Sequence, residues 1–248
     1  MLYKLQKICD TLPVYVIAWR VITWRLISKM VYFCHCMKRV FIKIAIAVIG
    51  VVNVCTAQQL QVANLQNGDL LFQNIDCGPL CDAIEKVTTG YKGNDFSHIG
   101  LVYRRNDSVY VIEAIGKDVH LTPIQDFAAR TTHPMYVAAL KPAYKKLNKQ
   151  ALKYALQQQG VLYDDVFLYN NGKYYCSELI YDAYKNANGN KPFFRLEPMT
   201  FKQPGTTQYF DAWVKYYEEL KTAIPEGKKG INPGGISRSD KILIKGTL

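Results

Sequence analysis

Residues 174–187 read Tyr174-Tyr175-Cys176-Ser177-Glu178-Leu179-Ile180-Tyr181-Asp182-Ala183-Tyr184-Lys185-Asn186-Ala187. Leu179, Ile180, Ala183 and Tyr184 fall on one face at α-helical spacing, so the pattern predicts a helix over 177–187 with those four turned inward. Cys176 then stands at the start of that helix. A helix N-terminus carries about half a positive charge and leaves its first backbone N–H groups unpaired. Such a position favours a thiolate and can hold a developing oxyanion. Cys176 is therefore a candidate nucleophile, and a nucleophile needs a base within reach.

Upstream, His98 opens the apolar run His98-Ile99-Gly100-Leu101-Val102-Tyr103, which meets Val109-Tyr110-Val111-Ile112-Glu113-Ala114-Ile115 across a polar turn at Asn106-Asp107. Two β-branched and aromatic runs around such a turn predict a β-hairpin. A two-residue turn pairs Arg105 with Ser108, so paired numbers sum to 213. His98 and Glu113 then lie on the same sheet face, one diagonal step of roughly 7 Å apart. Glu113 is placed to bond one imidazole nitrogen while the other faces a thiol. A one-residue change of register would put it on the opposite face. A carboxylate in so apolar a strand would otherwise be buried without a partner. His120 and His133 sit in polar surroundings and read as solvated. Two histidines without Asp, Glu or Cys at ligand spacing give no metal signal, and no cofactor is expected.

The remaining pattern is mixed α and β. A short strand is predicted at Leu70-Leu71-Phe72 after the turn Asn67-Gly68-Asp69, then a short helix at 81–88 with Ala83, Ile84 and Val87 inward. A third strand near 119–121, a short helix at 123–129 and a strand at 135–141 follow. A helix at 148–159, with Leu152, Ala155 and Leu156 at apolar spacing, stops at Gly160. The stretch after Pro225 is rich in Gly and Pro and is expected to wrap the surface.

Among 248 residues, 49% are hydrophobic and 21% charged, which is globular rather than disordered. The net charge of +11 is concentrated: residues 1–57 hold eight Lys and Arg against Asp10 alone, a net of +7, and residues 58–248 keep only +4. With no dense Lys/Arg stripe beyond the N-terminus, a nucleic-acid reader is excluded. The basic part reads as a leader and signal peptide over 1–57, with the true start at Met37. Lys38, Arg39 and Lys43 precede an uncharged apolar run at 44–52, too short to span a bilayer. Cys55 and Ala57 then stand at −3 and −1 of a cleavage point before Gln58. Lipidation of Cys55 is the competing reading, disfavoured by the bulky Val54 before it. Residues 1–36 read as an upstream start artefact or leader. The mature part, 58–248, is expected as one domain, exported to the periplasm or cell envelope, touching membrane only through the signal peptide or a Cys55 anchor.

Of seven cysteines, Cys77, Cys81 and Cys176 remain after that cleavage. The odd count leaves at least one thiol unpaired or bridged between chains. Cys77 and Cys81 are close enough to pair, but two small core residues near a helix start is the favoured reading.

Taken together, Gly68-Asp69-Leu70-Leu71-Phe72, Ser97-His98-Ile99-Gly100, Val111-Ile112-Glu113-Ala114, Tyr163-Asp164 and Tyr175-Cys176-Ser177-Glu178-Leu179 resemble the permuted papain-like hydrolases of the NlpC/P60 superfamily, and within it the YaeF/YiiX-type amidases. The resemblance runs from about Leu65 to Asn232-Pro233-Gly234, and the histidine precedes the cysteine as in the permuted group. It implies an α+β, permuted papain-like fold, an antiparallel barrel-like sheet packed against helices. It implies Cys176 as nucleophile, His98 as general base and Glu113 as the group orienting the histidine. The activity so implied is a cysteine amidase or peptidase acting on a peptide or acyl-amide, for instance cell-wall stem peptides, through an acyl-thioester. A lipid acyltransferase or esterase on the same triad, and a non-catalytic binding module, remain open alternatives.

Overall fold

The computed structural model describes residues 59–248; the expected leader, the Met37 start and the Cys55 anchor lie outside the described residues. Strand β1 (Leu70–Gln73) is followed by helix α1 (Pro79–Lys86) and the hairpin of β2 (His98–Arg105) and β3 (Ser108–Ile115). The hairpin takes the register that its turn dictates, Arg105 opposite Ser108 and Leu101 opposite Ile112. Asn106 supplies the left-handed turn residue at φ 55°, a conformation asparagine tolerates. Next come β4 (Asp118–Pro123), α2 (Ile124–Ala128), β5 (Tyr136–Leu140), α3 (Asn148–Gln157) and α4 (Cys176–Ala187). The predicted helices at 148–159 and 177–187 are thus present, and Leu179, Ile180, Ala183 and Tyr184 are fully buried.

The C-terminal stretch corrects an expectation. The chain adds a two-stranded ribbon of β6 (Glu197–Pro198) and β7 (Lys229–Gly230), the helices α5 (Asp211–Glu219) and α6 (Pro233–Ser237), and a last strand β8 (Ile242–Thr247). Rather than wrapping the surface, β8 pairs antiparallel with β5. Ile231, Ile236 and Ile242 enter the main core. The Gly and Pro residues punctuate turns between short elements whose partners lie far away in sequence, so local reading misses them.

The sheet runs β4-β3-β2-β1-β5-β8 and is antiparallel throughout. Among the described residues β4 and β8 are its outer strands, and no pairing between them closes the sheet as a barrel. Alternation along the strands gives it two apolar faces. Leu70, Phe72, Ile99, Leu101, Ile112 and Ala114 share a core with α3 and α4, while Leu71, Val102, Val111 and Val137 pack with Ile124 and Phe127 of α2. A third cluster joins α1 to α5 through Ala83, Phe201, Trp213 and Tyr217.

Cys77 and Cys81 form a disulfide, with Cα atoms 5.4 Å apart, which corrects the reading of both as separate core thiols. The physical reason is local: Gly78 at φ 79° turns the chain into a helix beginning at Pro79, and that turn folds Cys77 back over Cys81.

Candidate active site

Cys176 is the first residue of α4, where Tyr175 precedes it in extended conformation and offers no side-chain cap. The first N–H groups of the helix are therefore not consumed by a capping side chain. The Tyr175 hydroxyl instead accepts from the Ile231 N–H at 3.2 Å, and the Ser177 hydroxyl donates to the Ile231 carbonyl at 2.9 Å. These bonds tie the helix start to the C-terminal segment. Cys176 is a free thiol, 6% exposed.

His98, at the first position of β2, is 4% exposed, and Glu113 on β3 is fully buried. Their side chains meet as the hairpin register requires, His98 Nε2 lying 2.6 Å from Glu113 Oε2. Cys176 lies close enough to the same imidazole to raise its pKa. The structure thus brings all three predicted residues together, the histidine in the middle. Burial alone would pull His98 down, but Cys176 and Glu113 outweigh it and hold the ring up at about 9. Burial likewise pushes Glu113 up, yet His98 and Arg130 bring it down to about 2.

Arg130 and Thr122 were not legible in the sequence. Arg130 grips Glu113 with both terminal nitrogens, at 2.8 and 2.7 Å, and its guanidinium lies over the Phe127 ring at 5.5 Å. The Thr122 hydroxyl donates to Glu113 Oε1. Thr122 could have been found by extending the hairpin argument one strand further, because Glu113 pairs with His120 and Thr122 is the diagonal neighbour on that face. Arg130 follows α2 and carries no local signal. His120 bonds Asp118 at 3.0 Å and stays partly exposed, and His133 is exposed. Among the described residues no group of three His, Cys, Asp or Glu side chains could hold a metal ion.

Two buried carboxylates shape the loop that covers the helix start. Asp164 accepts from the N–H groups of Val166 at 3.1 Å and Leu168 at 2.7 Å, and Glu178 accepts from Asn170 at 2.7 Å. Burial, helped by Asp164 and Asp182, pushes Glu178 up to about 8. Beside Cys176 opens a pocket of about 120 Å³ whose walls include Ser97, Phe167, Met199, Phe201 and Trp213. A larger cleft of about 1030 Å³ lies between α3 and the β5–β8 edge, rimmed by Lys145, Lys149, Lys153 and Lys245. None of the three triad residues lines it.

A buried thiol at a helix start, close to an imidazole that a carboxylate bonds, is a cysteine-hydrolase type of arrangement on a mixed α and antiparallel β scaffold. Residues 64–243 match the family described as permuted papain-like amidase enzymes of the YaeF/YiiX type, and the chain belongs to that family. It is similar to the uncharacterized protein YiiX of Escherichia coli, 32% identical over 126 residues. That match covers 50% of this chain and 59% of the relative, so it spans about six-tenths of the relative's length. The fold also resembles the crystal structure of metalloprotein yiiX from Escherichia coli O157:H7, with a TM-score of 0.58 at 23% identity, covering 74% of this chain and 97% of the other. The permuted papain-like fold expected from the sequence is therefore present.

Proposed function

We propose that the protein is an exported cysteine hydrolase that cleaves amide bonds in peptides, cell-wall peptides included, with Cys176 as nucleophile, His98 as acid and base, and Glu113 as the orienting group. One observation carries the reading: a buried imidazole that bonds the Glu113 carboxylate and lies close to the free thiol of Cys176. Held at about 9, His98 carries its proton at neutral pH, and the attacking form of Cys176 is the thiolate. The thiolate attacks the scissile carbonyl, and the N–H groups at the start of α4 stabilise the tetrahedral oxyanion. The imidazolium then gives its proton to the departing amine, leaving an acyl-thioester. Neutral His98 next takes a proton from water, which attacks the thioester and frees the acid. Glu113 stays ionised, held by Arg130 and Thr122, and fixes the ring so that its other nitrogen faces Cys176.

Export is supported by the basic, then apolar, leader and by the Cys77–Cys81 disulfide, a bond that persists in oxidising compartments. The test is intact-mass analysis of the protein quenched during turnover of peptide amides. An acyl adduct on Cys176, absent in Cys176→Ala, is the expected result. Turnover that survives Cys176→Ala would overturn the reading.

A further inference from the structure

The groove between α3 and the β5–β8 edge lies apart from the triad, and its rim has a charge pattern of its own. Lys145, Lys149 and Lys153 stand four residues apart along one side of it. The last two are on α3 and follow one another at about 6 Å along the axis. All three are exposed, and none meets a carboxylate among the described residues. Like charges at that spacing destabilise a helix. Across the groove Lys245 is already bonded to Asp69 at 2.8 Å. Asp69, 3% exposed, is the only acid lining the groove among the described residues. Three positive charges are therefore left in a row without a counter-charge from the described chain.

Shape and lining narrow what would neutralise them. At about 1030 Å³ the groove is at the upper end of ligand clefts, and its concavity does not match a flat bilayer surface. The cations are strung along its length instead of gathered at one end, which suits several anions in line and not the single headgroup of an amphiphile. No aromatic side chain lines it, so it lacks the stacking platforms that hold the bases of a single-stranded nucleic acid. Leu152, Leu156 and Leu243, the last 50% exposed, give it an aliphatic floor. The Asn67 and Gln157 amides beside them offer donors and acceptors that a peptide backbone can use. In an extended chain alternate side chains share a face and repeat at about 6.6 Å, close to the lysine spacing. The row from Lys145 to Lys153 spans about 12 Å, too short for a bound segment to be stably helical by itself.

We propose that this groove docks an extended acidic segment of a partner protein, with carboxylates at every second residue facing Lys145, Lys149 and Lys153 and the intervening side chains resting on the leucine floor. The site is separate from the chemistry, since none of His98, Glu113 and Cys176 lines it. It therefore stands or falls independently of the hydrolase reading.

The test is fluorescence anisotropy of a labelled peptide in which glutamate alternates with leucine and threonine, titrated with the purified protein and, in parallel, with Cys176→Ala so that cleavage of the probe plays no part. Saturable binding is expected. It should weaken about tenfold, the order that three exposed ion pairs supply together, when every glutamate of the probe is replaced by glutamine. The double variant Lys149→Glu/Lys153→Glu should weaken it at least as much with an unchanged Tm. Raising NaCl from about 0.05 to 0.5 M should weaken it too, because exposed pairs are screened. Equal affinity for the glutamine probe, or an undiminished affinity in the double variant, overturns the proposal. Binding of phosphatidylglycerol vesicles or of oligothymidylate that is lost in the double variant, with no binding of the acidic peptide, overturns it in favour of a lipid or a nucleic acid. The probe series on the unaltered protein decides the matter even if the double variant does not fold.

Discussion

At the scale of single residues, one buried imidazole organises the site, and the roles on either side of it separate by mutation. Cys176→Ala should abolish turnover. His98→Ala should come close to it, because nucleophile and base act as a unit and their losses do not add. Glu113→Gln keeps a polar partner but loses the charge that favours imidazolium. The comparable change in serine proteases costs about 10⁴; the proposed cysteine–histidine pair is expected to depend less on its third member, with a loss of about 10–100-fold. Steady-state kcat/KM of the three variants on one peptide amide checks the order. The same ring sets the alkaline limb of the pH profile. With His98 held up at about 9 from an ordinary 6.5, kcat/KM should fall as pH rises through about 9, where the imidazolium loses its proton. Glu113 acts in the opposite direction on stability. Its folded value of about 2 lies below the ordinary 4.5, so the stability it contributes is full above about 4.5 and is lost as pH falls through about 2. Denaturant midpoints between pH 5 and 2 should decline more steeply in the native protein than in Glu113→Gln.

At the scale of elements, the β2–β3 hairpin and the start of α4 do most of the placing. The hairpin puts Glu113 beside His98 because a two-residue turn leaves one register, and side chains on one face repeat every second residue. Gly100, between them on β2, lets that face close: a Cβ there would collide with Val111 and come within 3.2 Å of Phe127 and 3.5 Å of Glu113. Gly100→Ala should therefore push β3 and α2 off the sheet, costing about 1–3 kcal/mol as overpacking does, and should disturb Glu113. A lowered Tm together with reduced kcat/KM is the expected outcome; a variant as stable and active as the parent would show that the neighbours give way freely. The start of α4 is fixed from outside, since Ser177 and Tyr175 are tied to Ile231 rather than to their own sequence neighbourhood.

At the scale of the whole molecule, the chain closes its sheet edge with its last residues. β8 pairs with β5, Ile242 is in the main core, and Lys245 reaches the buried carboxylate of Asp69 at 2.8 Å. Truncation after Asp240 should therefore strip the edge from β5 and remove the Lys245 ammonium from Asp69, leaving that buried carboxylate its bond from the Gln66 N–H. Circular dichroism should report a broadened or absent thermal transition, while removal of a mere surface wrap would leave the transition in place. By itself the amino-acid sequence determined the two long helices, the hairpin register, the three residues at the site and the family resemblance. The helices and the hairpin register rest on local rules: an apolar period of 3.6, a two-residue turn, a side-chain alternation of two; the family resemblance rests on the motifs and their order along the chain. Only the tertiary structure decided the partners that come from afar. Arg130 on Glu113, the edge strand β8 and the pocket wall of Phe167, Phe201 and Trp213 all depend on how separated segments pack. Such contacts are set by the burial of surfaces that only the assembled fold brings face to face, and no local period in the chain encodes them.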